Sequence, residues 1–156
     1  MAHMGTQFSH ETDVFQANWN TLFAELGADI ILGDHAHVVQ PIEYVGNALV
    51  VNCPGNFANS YIAEDGDATA LVEIYIDRDT KQVSGCSVIP MYTQEMENNY
   101  FRALPIYTIM KDEELYDEMR NVDILRIREV QKLVTEVMVG QAVSVEDVQE
   151  RYYFTR

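Results

Sequence analysis

The sequence predicts an α/β fold, and three observations carry that prediction. A helix-periodic segment runs straight into a short apolar strand, a later segment alternates with strand periodicity, and a long apolar-striped helix follows near the end. From Glu11 to Leu26 the apolar residues Phe15, Trp19, Leu22, Phe23 and Leu26 recur at helical spacing on one face, and Gly27 supplies a stop. Ala28 to Gly33 is almost wholly apolar and bounded by glycines, the pattern of a strand buried on both faces. Pro41 to Tyr44 and Ala48 to Asn52 then flank Val45-Gly46-Asn47 and read as a hairpin. From Ala68 to Asp77 the residues Ala70, Val72, Ile74 and Ile76 occupy alternate positions, Asp77 to Thr80 is a turn, and Val83 to Pro90 returns antiparallel. Lys111 to Arg120 and Val122 to Val139 read as helices. The second carries a stripe from Ile124 to Met138 and stops at Gly140, and Ser144 opens a short last helix in a capping arrangement.

Composition narrows the function. The 156 residues, 47% hydrophobic, suffice for one ordinary core. Twenty-five acidic residues against ten basic ones give a net charge of -15, which repels nucleic acid and anionic lipid. A polyanionic substrate would be repelled too, unless bound metal ions supplied local positive charge. No run of about 18 apolar residues and no signal-peptide pattern occurs, so a soluble chain is expected. Cys53 and Cys86 have no CxxC spacing and indicate no disulfide scaffold. Met1-Ala2-His3-Met4 has the composition of a tag-derived junction.

The densest polar cluster is Gly33-Asp34-His35-Ala36-His37, directly after the buried strand. In a locally extended segment i and i+2 point the same way, so His35 and His37 can converge at a sheet edge. Imidazole is a common ligand of zinc and similar metals, with Asp34 placed to add an oxygen or to orient a ring. Paired histidines are more often ordinary surface or hydrogen-bonded residues, so spacing alone leaves both readings open. Asn56, after Gly55, is equally open to a turn role and a site role. His10 lies outside every motif and is read as solvated. Tyr92, Tyr100 and Tyr107 are read as core area, and Asp112-Glu113-Glu114 as the favourable acidic start of a helix.

Gly27 to Glu43, with its GAD-strand-G-D-H-A-H-V-V-Q-P-I-E run, resembles the signature of the CapA-type bacterial capsule and poly-γ-glutamate synthesis family. Val51-Asn52-Cys53-Pro54-Gly55-Asn56-Phe57 is similar to that family's element ending in Gly-Asn-Phe. His3-Met4-Gly5-Thr6-Gln7-Phe8 resembles its His-Trp-Gly-x-Glu-aromatic motif, thirty positions ahead of Gly33, a register that makes His3 part of the pattern rather than of a tag. Gln16 stands where the family tends to have Gln. Met4, Gln7 and Ala36 depart from the family's Trp, Glu and Pro.

The resemblance implies the C-terminal part of a metallophosphatase-like αββα sandwich over residues 1–93, followed by a mostly helical tail over 94–156. It implies divalent metal (Mn, Zn or Fe) bound by His3 and His35 at one position and His37 at another, with Asp34, Asn56 and Gln7 supporting. It also implies that the aspartate, asparagine and further histidine ligands precede this chain. The expected parent is a membrane-anchored, extracytoplasmic hydrolase of the metallophosphatase type. Its partners would be the missing N-terminal part, membrane-bound polymer synthesis components, and a second copy through an exposed sheet face. The alternative is a non-catalytic interaction module of a polymer export assembly, in which the histidines are structural.

Overall fold

The structure, a computed structural model, describes residues 1–58, 64–119 and 121–155. It is mixed α/β, with two four-stranded sheets and, among the described residues, four α-helices. Sheet 1 holds β1 (Ala2–His3), β2 (Ile30–Asp34), β4 (Ala48–Val51) and β3 (Ile42–Val45) in the order β1-β2-β4-β3. The first three are parallel, and β3 closes the sheet as the antiparallel hairpin partner of β4. Helix α1 (Val14–Glu25) joins β1 to β2, so the chain opens as a βαβ unit. At Gly33 a Cβ would lie 2.1 Å from the carbonyl oxygen of Asn52, so only glycine lets β2 and the end of β4 approach this closely.

Sheet 2 has β6 (Val83–Glu95) at its centre, flanked by β5 (Ala68–Ile76) on one side and by β7 (Phe101–Pro105) and β8 (Tyr152–Phe154) on the other. The strand continues past Pro90, where the sequence suggested an end. Ala70 lies opposite Pro90 but sends its N–H to Pro54 O, so the nitrogen of Pro90 faces the other side of β6. There it falls between the β8 pairing at Cys86–Val88 and the β7 pairing from Met91, where no ladder bond is lost.

The helices follow the predicted periodicity with shifted ends. Helix α1 begins at Val14 because Asp13 caps it, its Oδ1 accepting from Gln16 N at 2.8 Å. The helix read from Lys111 to Arg120 corresponds to α3 (Glu113–Glu118), which starts where Asp112 accepts from Leu115 N, and a further helix, α2 (Ile106–Lys111), precedes it. Arg120, its expected end, lies outside the described residues. Helix α4 (Asn121–Val139) stops before Gly140, whose φ of 81° is left-handed. Ser144 precedes a single 3-10 turn, Val145–Asp147, without making a side-chain cap bond. Beyond residue 93 helices alternate with β7 and β8, both built into sheet 2.

One apolar core joins Val39, Ile42, Leu49 and Val51 of sheet 1 to Ala68, Cys86 and Val88 of sheet 2 and to Ile127, Val130, Val134 and Met138 of α4. Tyr92 and Tyr107 join this core, whereas Tyr100 is exposed. A smaller cluster under α1 consists of Ile31, Ala48 and Val50, with Phe23 and Ala24 against it. The apolar stripe that locates α1 in the sequence is not its buried face. Phe15, Trp19 and Leu26 are 61%, 39% and 76% exposed, while Gln16 and Asn20 are 0% and 1%.

Candidate functional site at the strand ends

Parallel strands bring their carboxyl ends to one edge, and ligands in open α/β sheets bind there. His3 is the last residue of β1, Asp34 the last of β2 with His35 and His37 in the following turn, and Asn56 lies in the loop after β4. Three separate connections therefore deliver the sequence-predicted residues to one edge of sheet 1. Two backbone bonds hold the connections together, Met4 N to Asp34 O at 3.0 Å and Phe8 N to Ala36 O at 2.8 Å.

His3 Nε2 and His35 Nδ1 are 2.8 Å apart, with ring centroids 4.3 Å apart and an edge-on arrangement. One of these nitrogens must donate and the other accept, so the pair shares a proton. His37 is placed differently, with Nδ1 2.8 Å from Asn56 Oδ1. The amide oxygen accepts, so Nδ1 carries the hydrogen and a neutral His37 has its lone pair on Nε2. The His35 and His37 ring centroids are 6.4 Å apart. Phe8 stacks on His37 with centroids 6.0 Å apart and 28° between planes, a neighbour that the sequence motif contained without revealing its contact.

The backbone at this edge is held in unusual conformations. His35 has φ 114°, His37 φ 62° and Phe8 φ 61°. Non-glycine residues in this half of φ space cost of order 1–3 kcal/mol each and persist where surrounding structure over-determines them. Asp34 helps, since its Oδ1 accepts from His35 N at 2.8 Å. Asp34 thus touches the turn's backbone. Asn56 is buried against His37, and Gln7 is exposed. Cys53, buried beside Ala36 and Val38, has its thiol pushed up by burial, which keeps it in the neutral form.

His10 corrects the expectation of a solvated side chain. Its Nδ1 lies 2.8 Å from Val39 O and its Nε2 3.1 Å from Asp65 Oδ2, in a half-buried position. Arg126 of α4 completes this strap, reaching Asp65 Oδ1 at 2.6 Å and Asp67 Oδ1 at 2.7 Å. Burial alone would raise the Asp65 carboxyl, but bonds from Arg126 and His10 outweigh it and hold it below its ordinary range. Sequence separations of 55 and 61 residues hid this contact.

His3 Nε2 and His35 Nδ1 lie side by side, and both would offer lone pairs to an ion of the zinc or manganese type once the donor of the pair carries its hydrogen on its other ring nitrogen. Among the described residues no group of three or more His, Cys, Asp and Glu side chains surrounds a common point. The pair fits a partial coordination shell.

Residues 1–61 match the family of bacterial capsule synthesis proteins designated PGA_cap. Over 56 residues the chain is 32% identical to the PGA biosynthesis protein CapA of Bacillus subtilis (strain 168). That alignment covers 36% of this chain and 15% of the relative's length. No solved structure matches the chain.

Proposed function

We propose, from the premise that this chain belongs through residues 1–61 to the bacterial capsule synthesis protein family PGA_cap, that it is the C-terminal portion of a metal-dependent phosphoesterase-like protein of capsule or poly-γ-glutamate assembly. The observation that carries this reading is the meeting of His3 with His35, and of His37 with Asn56, at the carboxyl ends of parallel strands, on a backbone strained at both His35 and His37. Solvated surface histidines need no such arrangement.

In this proposal His3 and His35 hold one divalent ion, of the Mn, Zn or Fe type, and His37 faces a second. A bound ion supplies Lewis acidity toward a phosphoryl oxygen and positive charge in a chain of net charge -15. The chain's own residues orient the ligands. Asn56 fixes the His37 tautomer, and Asp34 locks the turn through His35 N–H. Two imidazoles fall short of a closed cage, so the isolated chain binds metal weakly and is inactive by itself. The other ligands come from an N-terminal part of the same protein, which completes an αββα sandwich with residues 1–93. The exposed aromatic face of α1 supports a neighbour on that side. The parent is proposed to be anchored outside the cytoplasmic membrane. Among the described residues no helix is long and apolar enough to cross one.

A second reading is an interaction module without catalysis, favoured by that same α1 face and by the small number of ligands. Calorimetric titration with Mn²⁺ and Zn²⁺ separates the two. The enzyme reading expects weak binding by this chain, abolished in His35→Ala/His37→Ala, and tight binding by a longer protein that includes the residues upstream. Histidine-independent binding in both proteins favours the module.

A further inference from the structure

Beneath the histidines lies a set of side-chain amides shut off from water: Gln16 and Asn20 of α1, Gln40 after the histidine turn and Asn52 after β4. Gln16 Nε2 donates to Gln40 Oε1 at 2.9 Å and reaches Asn52 O at 3.4 Å. Gln40 Nε2 donates to Ser9 O at 2.9 Å and Glu11 O at 3.1 Å. Asn20 Nδ2 donates to Asn52 Oδ1 at 2.8 Å, and Asn52 Nδ2 in turn donates to Pro41 O and Glu43 Oε1. The lattice therefore grips all three connections that carry the site, namely the loop after His3, the turn holding His35 and His37, and the segment leading to Asn56.

Amides are a costly way to fill this space. Buried polar groups stabilise only when fully paired, and Gln16 Oε1 has no hydrogen-bond partner. That oxygen instead faces Gly5, where a Cβ would come within 2.7 Å of it. Apolar side chains would hold the layers at least as firmly, but they fix volume rather than direction. The helix accepts this exchange, turning Gln16 and Asn20 inward while Phe15 and Trp19 face outward. Left-handed backbone at His35 and His37 persists only where neighbours over-determine it, and Gln40 is three residues beyond His37.

We propose that this buried amide lattice is the positioning device of the histidine site, with Gln16 and Gln40 as its central pair. They act through the loops and do not touch a ligand. The inference rests on the metal reading above where it concerns affinity, but its effect on histidine geometry is independent of any ion.

The test is Gln16→Met/Gln40→Met, which keeps side-chain length and removes both members of the central pair. Three readouts are compared with wild type: the urea midpoint, Zn²⁺ affinity, and the imidazole ¹H–¹⁵N spectrum of the metal-free protein. A positioning role predicts a folded variant whose midpoint falls because Ser9 O, Glu11 O and Asn52 O lose their donors, Zn²⁺ affinity lower by about tenfold or more, and loss of the Nδ1–H pattern of His37. Wild-type affinity together with an unchanged His37 pattern overturns it. Where wild type itself shows no histidine-dependent Zn²⁺ binding, the metal reading fails, and the metal-free spectrum alone decides the positioning role. If the double variant does not fold, Asn20→Ala removes the outer link only. A changed His37 pattern there supports the proposal, and an unchanged one overturns it.

Discussion

Helices α4 and α1 use their faces in opposite ways. Helix α4 buries a mainly apolar face, Ile127, Val130, Val134 and Met138 with Asp123, Gln131 and Thr135 among them, and turns Arg128, Lys132 and Glu136 toward solvent. In α1 the buried residues are Gln16 and Asn20, and the solvent-facing ones include Phe15, Trp19 and Leu22. The first arrangement yields stability through area removed from water, the second a fixed register beside the histidines. Stability and site geometry are thereby assigned to different helices, and substitutions in them should separate the two.

The largest effect on folding is expected from Ile127→Ala. Cutting back a fully buried isoleucine in α4 should cost about 2–5 kcal/mol in urea unfolding. A loss comparable to that of an exposed position would break the comparison. Next comes Arg126→Ala, which unties α4 from Asp65 and Asp67 and leaves His10 with a loosened partner. Those groups are partly exposed, so about 1–2 kcal/mol is expected. Because the Asp65 carboxyl is held low in the folded protein, this contribution is present above the ordinary carboxylate range. It fades as pH falls through the depressed value, so wild type and variant should converge in acid.

The sequence showed where helices and strands lie because periodicity records local preference. It also placed Asp34, His35 and His37 just past a predicted strand and Asn56 after the hairpin, where the fold has them, whereas His3 came only from the family resemblance, because the two residues of β1 are too few to show a periodicity. What it hid was direction and distance. Periodicity marks Phe15, Trp19 and Leu22 as one face without saying which way that face points. The inward turn of Gln16 depends on Gln40 and Asn52, 24 and 36 residues away. His10 looked solvated because its partners Val39 and Asp65 are reached only through the fold. Pro90 looked like a strand end because the gap between two partner strands cannot be read locally.

Asp13→Ala sharpens the α1 side of the comparison. The backbone bond from Gln16 and the hydroxyl of Thr6 hold the Asp13 carboxyl below its usual range. Removing the cap should cost about 1 kcal/mol near neutral pH. With the folded value depressed, the difference should disappear as pH drops through it. The smallest expected effect on stability belongs to Trp19→Glu, a change of no more than about 0.5 kcal/mol, because Trp19 is exposed and its ring contacts are with Phe15 and Phe23 of its own helix. Binding of an apolar dye should fall in the same variant. A large loss of stability would show that the outward face contributes to the fold and would erase the contrast with α4.

The central claim, that three histidines at the strand ends form part of a metal site, is tested most directly by following all four histidines in long-range ¹H–¹⁵N imidazole spectra during Zn²⁺ addition. His10, strapped between Val39 and Asp65, is the internal control. The account predicts that the ring nitrogens of His3, His35 and His37 shift together, with His10 unmoved. Zn²⁺ that perturbs none of the three, or His10 as much as the others, would contradict it.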